Sequence, residues 1–354
     1  MSVLLLKYGI HHNVLEEWKI EPDNVRQLTD GHINQTFLLN MGDHRLILQK
    51  VNPIFGKEVH SDIDAVIKRL NDFKIPVPQL VRTHKKKLFF TDFQGSHWRI
   101  LTFLPGLTVD KIHTTRQATN VGLLVGTMHA ALFNWDYDYQ NKRSGVHDTQ
   151  KHQKDIEITI GAKRSHRLLS RVEPLYEKIA KRFSTLGNLQ NLPSRHAHGD
   201  LKVTNIRFDG RDESQVSGIL DLDTFAQMPL AFEMGDAFRS WCNTVAEDEG
   251  HATFDAAIFS HAARGWWNII REVSPEPEEI ENLIAGIEWI TLELSTRFLR
   301  DALEESYFGW DDTRFNRSGE HQLQRAMTQI ALAESIADQR PTLEKLWDQI
   351  RVAL

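Results

Sequence analysis

His198-Gly199-Asp200-Leu201-Lys202-Val203-Thr204-Asn205, followed after a short gap by Ile219-Leu220-Asp221-Leu222-Asp223, is the stretch on which the reading turns. Phosphoryl transfer asks for little covalent chemistry from a protein. It needs a carboxylate that orients the incoming hydroxyl and hard oxygen ligands that hold magnesium against the phosphates. An acid at 200, an amide at 205 and an acid ending the next strand at 221 supply that set, with the spacing of a kinase catalytic loop and the metal ligand that follows it. The bland alternative is a turn, because Asp and Asn also hydrogen-bond their own backbone.

Upstream of this loop the sequence changes period once. Residues 25 to 103 read as short strands: one beginning at Val25, then Thr36 to Leu39, Arg45 to Val51, Lys87 to Phe93 and His97 to Phe103. Met41-Gly42-Asp43-His44 and Gln94-Gly95-Ser96 are their hairpin turns. Ser61 is a candidate N-cap for an interrupting helix with apolar positions Ile63, Val66, Ile67 and Leu70, stopped by Pro76 and Pro78. Beyond Leu104-Pro105-Gly106 the apolar residues recur at helical spacing: Val121, Leu124, Val125, Met128 and Leu132, then Ile284, Ile287, Thr291, Leu294 and Phe298, then His321 to Ala337. Asn205 to Phe208 and Val216 to Leu220 are brief strands within this helical part. The expected class is α+β, a bilobal protein-kinase-like fold with an antiparallel-sheet lobe over 1–104 and a mostly helical lobe over 105–354.

Composition narrows the partners. The 354 residues are 41% apolar and 25% charged, which is ordinary for a globular protein and long enough for two lobes with a cleft between them. A net charge of -6 disfavours a phosphate-backbone-binding face, so nucleic acid is not expected as a partner. The single cysteine, Cys242, forms no internal disulfide and fits a reducing compartment. No apolar run reaches the ~20 residues of a membrane span, and a cytoplasmic location is expected.

The loop and strand resemble the aminoglycoside phosphotransferase and choline kinase superfamily. LTDGHINQTFLL at 28–39, LILQKVN at 46–52, DLDTF at 221–225, GDAFR at 235–239 and TRFLRDALEESYF at 296–308 are similar to its bacterial N-acetylhexosamine 1-kinase branch. The resemblance implies a kinase using ATP and Mg2+ on a free sugar, with the anomeric hydroxyl of an N-acetylhexosamine or related hexose as acceptor. Choline, homoserine or an aminoglycoside as acceptor, or a nucleotide-binding pseudokinase, are the alternatives. Asp200 would orient the attacking hydroxyl, Asn205 and Asp221 would bind the metal, and Asp223 would assist indirectly. Gly31, His32, Ile33 and Asn34 would close over the phosphates, although Asp30-Gly31 is equally an ordinary hairpin turn.

Gln49 stands where a kinase carries its phosphate-binding lysine. Lys50 beside it points to the other face of the strand. Leu101 and Phe103 lie where an interlobe hinge would meet adenine, which a plain buried strand explains equally well. By the same resemblance Asp236 ties down the catalytic loop, helix capping being the alternative. His32, Arg297 and Tyr307, with Asp200, would form the acceptor pocket. Arg297 also lies four residues after Glu293, the spacing of a helical surface ion pair, and Tyr307 reads equally as core.

Overall fold

The computed structural model describes residues 7–28, 33–142 and 147–353. Gly31 and His32, two of the expected site residues, lie outside them. An N-terminal helical turn, α1 (His12–Glu16), precedes the strands β1 (Asn24–Leu28), β2 (Gln35–Met41) and β3 (His44–Lys50). The helix α2 (Val59–Asp72) then leads to β4 (Leu80–Val81), β5 (Phe90–Thr91) and β6 (His97–Thr102). All pair antiparallel in the order β1-β2-β3-β6-β4, with β5 also on β6. Gly42 makes the β2–β3 turn with φ near 58°, a conformation glycine adopts at no cost.

Alternation sorts the sheet residues. Phe37, Leu39, Leu48, Trp98 and Ile100 pack with Ile10, Val14, Leu15 and Trp18 from the N-terminal segment in one buried cluster. Gln49 and Arg99, facing each other in register across β3 and β6, therefore project to the opposite side of the sheet.

Two expected boundaries differ from those observed. The helix α2 begins at Val59 rather than at a Ser61 cap, because Val59 and His60 extend the buried stripe of Ile63, Val66, Ile67 and Leu70 upstream. The strand expected over 87–93 shrinks to Phe90–Thr91. Lys86 turns the chain at φ near 62°, and the Asp92 carboxylate caps the next turn by accepting from Gln94 N and Ser96 N.

The remainder is about helices. α3 (Thr115–Leu132) opens with a capping box in which Thr114 and Gln117 satisfy each other's backbone amides. α4 (Thr149–Ala162) and α5 (Leu169–Phe183) follow, then β7 (Ser194–Ala197), β8 (Ile206–Phe208), β9 (Val216–Ile219) and β10 (Ala226–Pro229). α6 (Leu230–Trp241), α7 (Ala256–Ile270), α8 (Pro277–Glu281), α9 (Leu283–Glu304) and α10 (Ser318–Ala353) complete the chain. α6 lies on α9 at the crossing of Gly235 and Gly286, where a Cβ on Gly286 would run into Ala231 O. That close approach fixes α6, and α6 in turn carries the residues that hold the catalytic loop. The fold is α+β, a sheet-rich half followed by a helical half. Among the described residues no helix is long and apolar enough to cross a membrane.

Candidate active site

The loop 198–205 leaves β7 and enters a single 3-10 turn, Val203–Asn205, before β8. Gly199 has φ near 80°, and a Cβ there would meet Thr224 O at 2.6 Å, so both backbone conformation and space demand glycine. His198 joins the two halves of the motif. Its Nε2–H donates to Leu220 O at 2.8 Å while Nδ1 accepts from Asp200 N at 3.3 Å, a pairing that assigns the tautomer. Leu220 N donates to Asn205 O, binding the end of β9 to the loop.

Asp200 faces Lys202, whose Nζ donates to Oδ2 at 2.7 Å, and Asn205, whose Nδ2 donates to Oδ2 at 3.1 Å and to Asp200 O at 2.8 Å. Burial pushes the Asp200 carboxyl up, but the Lys202 ammonium outweighs it and the net shift is downward. Asp200 is thus ionised and ready to take a hydrogen bond from a hydroxyl. Burial lowers Lys202, yet the charges of Asp200 and Asp221 raise it further, so the ammonium is retained.

Asp221 sits two residues before Asp223 in a left-handed conformation, φ 59° and ψ 67°, that a non-glycine residue rarely adopts. Burial, then the charges of Asp223 and Asp200, raise its carboxyl to about 6. No donor among the described residues meets its side chain. Asn205 turns its amide nitrogen to Asp200, which leaves Oδ1 as a free acceptor. One carboxylate with no hydrogen-bonded cation and one free amide oxygen are suitable hard ligands for Mg2+, which normally completes its shell with phosphate and water. The residues fit the ion on donor chemistry, and no cluster of three or more acidic, His or Cys side chains among the described residues competes for it. When bound, the metal would neutralise phosphate charge.

Asp223 is gripped from the sheet. Arg99 forks onto it, Nη1 to Oδ1 at 2.5 Å and Nη2 to Oδ2 at 2.7 Å, and Asn34 Nδ2 donates to Oδ2 at 2.6 Å. Gln49 spends both ends of its amide elsewhere: Oε1 accepts from Arg99 Nε and Nη2, and Nε2 donates to Thr36. Lys50 lies over the Trp98 ring, 5.6 Å from its centre. Ile33 contributes a backbone carbonyl that accepts from Asn52 Nδ2. At the expected hinge, Thr102 N and Phe103 N donate to Gln79 O and Arg45 O, and the Phe103 ring lies under the Arg45 guanidinium at 3.9 Å. Leu101 pairs with both Ile47 and Leu80.

The loop is tied down by Glu233, one helical turn before Asp236. Glu233 accepts from His198 N at 2.8 Å, Gly199 N at 2.9 Å and His129 Nε2 at 3.2 Å, and His129 Nδ1 accepts from Trp266 Nε1 at 2.9 Å. Burial raises Glu233, but the hydrogen bonds from His129 and from Gly199 N hold it below the usual carboxylate range. Asp236 bonds Arg239 instead, at 2.6 Å and 3.1 Å. Sequence reasoning missed Glu233, Arg99 and Lys202. An arginine inside the apolar strand Trp98 to Leu101 was the available signal for Arg99.

A chain of ion pairs leads away from this centre, from Asp236 through Arg239 and Glu247 to Arg325. Arg325 stacks on Phe298 at 4.1 Å and on Phe308 at 5.4 Å. Arg297 lies 5.6 Å from the Phe308 ring centre, and Tyr307, 54% exposed, packs edge-on against Phe308. Glu293, four residues before Arg297, binds His147 and Thr149 rather than Arg297. Asp301 fixes the 306–308 segment by accepting from three successive backbone amides. A cavity of about 550 Å³ borders Thr224 and Phe232, but Asp200, Asn205 and Asp221 are not among its lining residues.

Residues 24–267 match the model of the phosphotransferase enzyme family. The fold is similar to that of a microcompartment-associated aminopropanol kinase, with a TM-score of 0.60 and 16% identity over 94% of this chain and 97% of that one. It is similar also to the amicoumacin kinase solved with AMP-PNP and Ca2+, with a TM-score of 0.61 and 14% identity over 100% and 96% of the two chains. Choline kinase from Cryptosporidium parvum superposes with a TM-score of 0.56 at 14% identity, over 96% and 95%. With more than half its length matched, the chain belongs to the phosphotransferase enzyme family, whose members are small-molecule kinases.

Proposed function

We propose that this kinase transfers the γ-phosphate of ATP, with Mg2+ held by Asp221 and Asn205, to a hydroxyl of a free sugar oriented by Asp200. The acceptor we favour is the anomeric hydroxyl of an N-acetylhexosamine or related hexose. The observation that carries the choice is the state of the carboxylates around the acceptor side of the cleft. A cationic acceptor such as choline or an amino alcohol needs a free carboxylate or an open aromatic cage. Asp236 is paired with Arg239, Glu247 with Arg325, Asp248 with Arg314 and His321, and Glu293 with His147. Arg297, by contrast, meets no carboxylate among the described residues and lies over the Phe308 face. A guanidinium with donors to spare beside an exposed tyrosine suits hydroxyl and acetamido oxygens.

In the mechanism, Asp200 accepts the hydrogen bond of the attacking hydroxyl and aims its oxygen in line with the γ-phosphorus. Lys202, already adjacent to both Asp200 and Asp221, adds positive charge where the transferring phosphoryl group accumulates negative charge. Backbone near Leu101 and Phe103 would meet the nucleobase, Ile33 and Asn34 would edge the phosphates, and Arg297 and Tyr307 would hold the acceptor. The cleft would lie between a sheet lobe over 1–104 and a helical lobe over 105–354, in a cytoplasmic enzyme.

The test is ADP release with N-acetylglucosamine, N-acetylgalactosamine, galactose, choline, homoserine, 1-aminopropan-2-ol and kanamycin as separate acceptors. Turnover confined to the sugars, with a product whose reducing end is lost, supports the reading. Turnover confined to the amines sinks it, and absence of turnover with every acceptor favours a nucleotide-binding protein without transferase activity.

A further inference from the structure

Kinases of this fold place a cation on the third strand to hold the phosphates, and here that position is the uncharged Gln49, whose amide is fully engaged. The cation nearest in register is Arg99, directly across on β6. It is 2% exposed, as is Asp223. All three side-chain donors to Asp223 come from the sheet half: two from the Arg99 fork and one from Asn34, whose Oδ1 accepts from Asn52 N at 2.9 Å.

Asp223 belongs to the turn that begins at Asp221. That turn departs from a residue in left-handed conformation, which persists only where its surroundings impose it. Leu220 and Thr224 on either side of the turn are held to His198, but nothing on the helical side donates to the Asp223 carboxylate among the described residues, so the fork is its hold from the sheet. A planar guanidinium gripping both carboxylate oxygens fixes direction as well as distance, which a lysine ammonium cannot do. Gln49 adds to this by accepting from Nε and Nη2 on the guanidinium's other edge, which sets the plane of the fork.

We propose that Arg99 is a positioning residue that takes over the task left by the absent strand lysine: through Asp223 it holds the Asp221 turn from the sheet side, so that the metal site is assembled across the cleft. Gln49 orients Arg99 and does not itself hold phosphate, and Asn34 orients Asp223 from beside the phosphate edge. The inference rests on the phosphotransferase reading of Asp221, and it assigns to a strand arginine a control over metal affinity that the loop motif alone does not contain.

The test measures binding of AMP-PNP, without acceptor or turnover, as a function of Mg2+ concentration, together with melting temperature. Arg99→Met, Arg99→Lys, Asp223→Asn and the double variant Arg99→Met with Asp223→Asn are compared with the unaltered protein. Replacing an outer partner of a metal ligand costs ~10- to 100-fold in metal affinity. The expected result is a rise of at least ~10-fold in the Mg2+ concentration for half-saturation in Arg99→Met. Arg99→Lys should be intermediate, with metal-free nucleotide binding changed less than about twofold. The double variant, which leaves no unpaired buried carboxylate, should regain most of the melting temperature yet keep the raised Mg2+ requirement. It therefore carries the test even where Arg99→Met does not fold. Wild-type Mg2+ dependence in the double variant or in Asp223→Asn would overturn the proposal and reduce the pair to a structural ion pair. Loss of Mg2+-dependent nucleotide binding in the unaltered protein is a separate pattern, and it would remove the phosphotransferase reading of Asp221 along with the proposal.

Discussion

Replacing Glu233 with Gln removes one oxygen from a carboxylate that is 1% exposed and serves three donors. Oε1 accepts from His198 N and His129 Nε2, and Oε2 from Gly199 N. The glutamine oxygen would keep the doubly used position and set its own NH2 against the Gly199 N–H, donor against donor. One charge-assisted bond is lost and one buried amide is orphaned, a total of ~3 kcal/mol. For 354 residues the entropy of unfolding is ~0.7 kcal/mol/K, which turns that loss into a fall of ~4 °C in Tm. The catalytic loop would shift with Gly199, and a displacement near 1 Å costs ~100-fold in kcat. Differential scanning fluorimetry and steady-state kinetics on the same preparation read both effects. A Tm within ~1 °C and a kcat within about twofold of the unaltered enzyme would falsify the role given to Glu233.

Asp200→Asn keeps the shape of the loop and removes the hydroxyl's anionic acceptor, so turnover should fall by at least ~10³ while AMP-PNP binding measured by calorimetry persists; retained turnover would reassign the orienting carboxylate. Arg297→Met should raise the acceptor KM by ~10-fold with the ATP KM unchanged, and an equal rise in both would place Arg297 outside the acceptor pocket. His60 gives a pH signature. It is fully buried, stacked on Phe89, and its Nδ1–H donates to Lys57 O. Burial first, then the Arg99 charge, lowers it from 6.5 to about 4, with Asp223 opposing and His97 adding to the shift. Between those values the unfolded chain binds the proton and the folded chain does not, so stability rises with pH across the window. Acidification from 7 to 4 should therefore cost roughly 3 kcal/mol through this side chain. The raised Asp221 carboxyl contributes with the opposite sign between 3.8 and about 6, where the folded state holds the extra proton. Comparing urea midpoints of His60→Phe with the unaltered protein isolates the histidine: the slope between pH 4 and 6.5 should flatten, and parallel profiles would count against it.

The loop motif could be read from sequence because its contacts are local: Asn205 meets Asp200 across only five positions. The sheet was legible for a similar reason, since its hairpins are short and glycine-marked, as at Gly42 and Gly95. Arg99 and Glu233 were not legible. Arg99 meets Gln49 across 50 positions and Asp223 across 124, and Glu233 meets His129 across 104. No periodicity or spacing encodes such pairings; tertiary packing alone decides them. Glu233, which meets the loop, and Asp236, which pairs with Arg239, share a face of α6 one turn apart. Only the approach of α6 to the loop shows which of them reaches His198 N.

The three site aspartates make the same point about charge. In the sequence Asp200, Asp221 and Asp223 are equivalent letters, and their separate tasks follow from what each one faces. Asp200 is matched by Lys202, which keeps it ionised but leaves it on a flexible ammonium that can yield to an incoming hydroxyl and phosphate. Asp223 is matched by the Arg99 fork and further held by Asn34, an arrangement that suits an acid with a fixed structural load. Asp221 has no cation of its own, and the charges of its two neighbours make its ionisation costly. A divalent ion held there with nucleotide phosphates would relieve that cost, because bound metal reverses the local preference for the neutral acid. The protein thus supplies two cations for three carboxylates, and the unbalanced charge falls on Asp221, the residue proposed to take the metal.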